Sequence, residues 1–145
     1  MKKSIICIAM LLVSSFAFGA TLKSMTKSQV EQALVNKTMT SIPTDNLNGR
    51  TIKNTFSTFL DGQGNIFGKM EQKPVDEPQT DKGAYSIGDD GSVYITWQHW
   101  DGAKKLCAHF FETKNAYIAI DCENVFHTVF MKDAVQSGNH LNKHD

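Results

Sequence analysis

Arginine is almost missing from this chain: Arg50 stands alone among 145 residues, and lysine supplies every other basic side chain. A nucleic-acid-binding face gathers several Arg and Lys on one side; none is present, which excludes nucleic acid as a partner. Past residue 20 there is no apolar run long enough to cross a bilayer, so the mature chain has no transmembrane segment. Catalytic signatures are absent too. There is no Gly-x-Ser-x-Gly elbow, no His-Glu-x-x-His pair and no phosphate-cradling glycine loop. Cysteine is scarce, at three.

The first twenty residues differ from the rest. Lys2 and Lys3 precede an apolar run from Ile5 to Val13, and small residues follow at Ala17, Gly19 and Ala20. This is the pattern of a secretory leader cut after Gly19 or Ala20, which places the protein in the periplasm or outside the cell. No Cys follows the cut, which argues against a lipid anchor there. Removing Lys2 and Lys3 from the 15 basic residues leaves 13 against 15 acidic ones, a net charge of −2. Residues 21–135 suffice for one domain, and residues 136–145 read as a polar, solvated tail.

Met25-Thr26-Lys27-Ser28-Gln29-Val30 predicts a helix start. Thr26 and Gln29 form a capping box, Met25 and Val30 a hydrophobic staple, and the apolar face continues to about Lys37. Residues 38–53 read as a loop. The period then changes to two, and hairpins follow. A three-residue loop within Asp61–Gly64 sets Leu60 opposite Ile66, Phe56 opposite Met70 and Phe59 opposite Phe67. Residues 72–83, with two Pro and five charges, read as a solvated connection. A loop with Gly91 left-handed aligns Ile87 with Val93 and Tyr85 with Ile95. Asp101-Gly102 predicts a two-residue turn, and Val125–Met131 a last strand. The expected fold is mainly β: an antiparallel meander forming a small barrel or sandwich, with one short N-terminal helix.

Loss of the leader removes Cys7 and leaves Cys107 and Cys122, an even pair in an oxidising compartment. A two-residue loop at Lys114-Asn115 would set these two directly opposite each other on neighbouring strands, close enough for a disulfide. That bridge closes a loop of about 16 residues and contributes roughly 3 kcal/mol.

Candidate chemistry is thin. His140 and His144 are four apart but lie in the polar tail, and His99 and His109 fall on opposite strand faces. The segment from Asp61 lacks the glycine and glutamate of a calcium loop, so neither metal nor other cofactor is expected. Asp61, Asp89, Asp90 and Asp101 occupy turns, where Asp bonds its own backbone. What remains is an aromatic face with Tyr94, Gln98, Trp100, His109 and Phe111. It would suit a ligand pocket, or it could lie beneath a second layer of the fold.

The motifs Asn48-Gly49-Arg50-Thr51-Ile52, FLDGQGNIFGK and GAYSIGDDGSVYITW before a Cys resemble those of small exported Gram-negative proteins of unknown function, VirK-like proteins and short type II secretion substrates. The resemblance covers roughly residues 48–110 and implies an exported, virulence-associated β-domain with no family active site. Many such proteins carry Cys where this chain has Tyr94. The expected function is non-enzymatic binding of a protein partner or a small apolar ligand. The alternative is a hydrolase of cell-wall or host polymer using His109 or His127 with a turn Asp, which requires the histidine in a cleft beside a carboxylate.

Overall fold

A computed structural model describes residues 22–43, 55–72 and 75–142. The leader expected at residues 1–20 lies outside the described residues, as do the Asn48–Ile52 motif and His144. Among the described residues are one α-helix, α1 (Lys27–Leu34), and nine strands: β1 (Lys37–Thr40), β2 (Phe56–Leu60), β3 (Asn65–Met70), β4 (Thr80–Ile87), β5 (Val93–Trp97), β6 (Lys105–Glu112), β7 (Ala116–Asp121), β8 (Phe126–Met131) and β9 (Gln136–Ser137). They form one antiparallel sheet in the order β8-β7-β6-β5-β4-β3-β2-β1-β9.

The sheet curls into a half-barrel, and the free edge of β1 brings its ends together. That edge takes β9 at Lys37 and Thr38. Just beyond β1, Ser41 bridges to Phe130 of β8, and the Ile42 N–H donates to the Val129 carbonyl at 3.0 Å. Residues 38–40 are thus strand and not the loop expected there, Lys37 is strand and not helix end, and residues 136–137 of the polar tail are sheet. The helix stops at Leu34, short of Lys37, because Asn36 turns left-handed at φ 58° and joins the ladder through its N–H to the Leu60 carbonyl.

α1 lies on the face that the curl encloses. The capping box forms as expected, with Thr26 Oγ1 accepting from the Gln29 N–H and Gln29 Oε1 accepting from the Thr26 N–H. Val30 and Leu34 are fully covered, and they pack with Met25, Met39, Leu60, Ile66, Val93, Trp97, Phe110 and Phe130. Burying each such aliphatic side chain contributes about 1.5–3 kcal/mol. Pairing of β5 with β6 stops at Ala108, which leaves the β6 edge open farther along; the Met25 N–H fills it by donating to the Phe110 carbonyl at 2.7 Å. Gly91 permits this crossing. It is left-handed at φ 85°, and a Cβ there would lie 2.1 Å from the Met25 carbonyl oxygen.

Most hairpin registers agree with the sequence expectation. Phe56 pairs with Met70, Phe59 with Phe67 and Leu60 with Ile66; Ile87 pairs with Val93 and Tyr85 with Ile95. The Lys114-Asn115 turn puts Ala108 opposite Asp121, and the disulfide Cys107–Cys122 joins β6 to the residue just past β7 with Cα atoms 5.5 Å apart.

The Asp101-Gly102 turn differs. Thr96 pairs with Lys105, so residues 98–104 form a wide loop in place of a two-residue one. Asp101, Gly102 and Ala103 are all left-handed, at φ 54°, 63° and 57°. A two-residue turn would set Val93, Ile95 and Trp97 on one face with Leu106, Ala108 and Phe110; the register shifts from that by two, an even number, so they share that face here too. Trp100, expected on the face opposite Trp97, instead folds under it, with ring centroids 4.7 Å apart.

Two outcomes are expected from unfolding measurements in urea. Replacing both Cys107 and Cys122 by Ala should lower stability by about 3 kcal/mol. Gly68→Ala should lower it by about 1–3 kcal/mol, because a Cβ there meets Trp100 Cζ3 at 2.3 Å and Trp97 Cη2 at 2.8 Å.

Candidate functional site

Asp81 is a carboxylate on the inward side of β4, where apolar side chains would ordinarily point. Its side chain is 1 % exposed, and burial of an unpaired charge would be costly. Three donors satisfy it: the N–H groups of His99 and Trp100, each at 2.8 Å, and His99 Nδ1 at 3.0 Å. Those bonds hold the chain leaving β5 in a wide loop and draw Trp100 inward, where its Nε1–H donates to the Pro78 carbonyl at 2.7 Å. Burial raises the Asp81 pKa, but the bonds from the Trp100 N–H, the His99 ring and the His99 N–H outweigh it and leave the carboxyl below its ordinary 3.8.

His99 is largely exposed beside a groove of about 580 Å³. Phe67, Pro78 and Leu141 give the groove apolar walls, and Lys82, Gln98 and Asn142 give it polar ones. Asp81 accepts from Nδ1, which leaves Nε2 free of that contact. The C-terminal segment supplies one wall: Leu141 is 9 % exposed, and the His140 N–H donates to Thr38 Oγ1 at 3.0 Å. His140 Nε2 lies 2.8 Å from the Ser137 carbonyl, so this histidine is tied locally. Among the described residues, no group of three His, Cys, Asp or Glu side chains is placed to hold a metal ion.

The expected aromatic face is divided. Tyr94, His109 and Phe111 are half-buried on the outer side of β5 and β6, in the same row as Cys107. The Lys105 ammonium covers the Tyr94 ring at 4.4 Å. Gln98 is exposed and lines the groove, while Trp100, at 3 % exposure, belongs to the core. The five residues therefore do not form one pocket.

Of the two histidines of the hydrolase alternative, His109 does not meet the geometric requirement. His109 Nδ1 is 3.3 Å from Ser92 Oγ, and that hydroxyl donates to Asp90 Oδ2 at 2.7 Å. Serine sits in the middle of this chain, where a nucleophile-activating triad needs histidine. Ser92 is also 1 % exposed, closed to any substrate. His127 is exposed on β8, with its ring 6.5 Å from that of Phe56. The pairing required instead occurs at His99, through an acid hidden in what read as a solvated connection. The signal was there in the alternation of Asp81, Gly83, Tyr85 and Ile87 against Thr80, Lys82, Ala84 and Ser86.

No family model, curated protein or solved structure matches the chain.

Of the four turn acids expected to bond their own backbone, Asp61 and Asp90 do so, the latter by accepting from the Ser92 N–H at 3.0 Å; Asp89 does not, and Asp121, not singled out in the sequence, behaves as they do. Asp61 accepts from the Gln63 and Asn65 N–H groups and Asp121 from those of Glu123 and Val125, while Asp89 pairs with Lys27 at 3.2 Å.

Asp81→Ala should cost about 2–3 kcal/mol at neutral pH, by leaving the His99 and Trp100 N–H groups without their acceptor. A depressed folded-state pKa gives stability that is complete above the ordinary 3.8 and is lost as pH falls through the folded value. Acid unfolding followed by circular dichroism should therefore be less steep in the variant than in the parent.

Proposed function

We propose that this protein is an exported, non-enzymatic binding domain that receives a protein partner or a small ligand in the groove beside His99. One observation carries the reading: the groove joins apolar walls to a polar group whose orientation a buried carboxylate sets. Ligand sites characteristically combine those two features. The interior of the curl is a poor candidate, because α1, Trp97 and Trp100 fill it. Export rests on the leader expected at residues 1–20, and the Cys107–Cys122 bridge suits an oxidising compartment. The role of a virulence-associated secreted factor belongs to the same reading.

The Asp81–His99 contact favours one second reading, a hydrolase of cell-wall or host polymer. His99 would act as general base on water, since no hydroxyl or thiol bonds to it among the described residues. Release of soluble fragments from peptidoglycan or polysaccharide, abolished by His99→Gln, would establish that reading over binding.

The binding reading is tested by titrating the oxidised chain with glycans, lipids and peptides while following tryptophan emission, since Trp100 follows His99 and its Nε1–H bonds the carbonyl of the groove residue Pro78. A ligand that shifts the emission and is lost in Gln98→Arg is the expected result. A ligand that instead protects the outer Tyr94, His109 and Phe111 face, with Gln98→Arg binding normally, would overturn it.

A further inference from the structure

Among the described residues, three titratable side chains line the groove: Asp81 and Lys82 from β4, and His99 from the loop after β5. They are not equivalent. Asp81 is turned inward and its oxygens are engaged by three donors, so it offers little to a ligand. Lys82 is exposed, and its ammonium has no hydrogen-bond or ion-pair partner among the described residues. The Gln98 amide is likewise without a partner there. With both its nitrogens protonated, His99 gives one N–H to Asp81 and keeps the other for a ligand. Glu77, just before the groove residue Pro78, is occupied by the Asp101 N–H at 3.0 Å. The open polar wall is therefore cationic and rich in donors, and it faces the apolar surface of Phe67, Pro78 and Leu141.

We infer that the groove recognises a carboxylate attached to an apolar body, the charge held by His99 and Lys82 and the body resting on Phe67, Pro78 and Leu141. This deepens the binding reading above and rests on it. A carboxylate matches the site because it only accepts hydrogen bonds, and charge-assisted bonds from imidazolium and ammonium are the stronger kind. An apolar group beside the charge is required as well, since the walls would otherwise stay wet. A free small acid and a peptide chain terminus both carry this chemistry.

The test follows amide NMR shifts of the full oxidised chain with four probes: phenylpropionate, its neutral amide, and an Ala-Ala-Leu-Phe peptide with free or amidated C-terminus. The expected result is shifts at Thr80, Gln98 and His99 with the two acids, and affinity weaker for the amides by about tenfold or more, since a neutral group loses the charge assistance of both His99 and Lys82. Lys82→Met and His99→Gln should each weaken the acids by a similar factor and leave the amides unchanged. Lys82 is exposed, so its variant keeps the native spectrum even if His99→Gln loosens the loop. A tighter response to the free-terminus peptide than to phenylpropionate assigns the source as a chain end; the reverse assigns a small acid. Equal affinity for acids and amides, an unchanged Kd in Lys82→Met, or no groove shift with either acid overturns the inference. If a neutral ligand then seats in the groove and is lost in Gln98→Arg, the binding reading survives that failure.

Discussion

A single sheet has two faces, and among the described residues only one eight-residue helix is there to cover them. That shortage shapes the molecule. The sheet must curl around its own apolar face, and the helix, the two tryptophans, Met25 and Met39 must fill what the curl encloses. Fit is tight as a result: the face of Gly68 is taken by the Trp100 ring, and Gly91 lets the chain entering the helix pass against it. The enclosed space is packing and not a ligand cavity, so a site has to form at the rim, where the loop after β5 and the C-terminal segment meet.

The rim groove and the fold share one group. The Asp81 carboxylate accepts the N–H groups that shape the loop after β5, and the same carboxylate holds the His99 ring. Position and chemistry are coupled there. A histidine on a free loop would sample many orientations, whereas this one is held from behind by an acid that solvent barely reaches. Stability at acid pH and orientation of the site depend on the same ionised group.

Much of this was legible from local pattern. The hairpins at Asp61–Gly64, Asp89–Gly91 and Lys114-Asn115 follow from turn chemistry, and with them came the Cys107–Cys122 pairing, because a tight turn dictates who faces whom. The Asp101-Gly102 signal was equally strong and misled. Nothing local to that dipeptide reveals that a carboxylate some twenty residues earlier captures the His99 and Trp100 N–H groups. An even shift preserved the strand faces, which is why the core was anticipated while the position of Trp100 was not. The strands at residues 37–40 and 136–137 escaped for a related reason: they are short and polar, and only their neighbours make them sheet.

The chain's own order of residues determined the mainly β architecture, the capped helix and most hairpin registers, since each depends on groups only a few positions apart. Tertiary structure decided how the sheet curls, which edge β1 shares with β8 and β9, and which histidine meets a carboxylate. Those outcomes depend on pairs such as Ser41 with Phe130 and Asp81 with His99, distant along the chain. Their contact energy is realised only once the curl has closed, so no short window of sequence contains it.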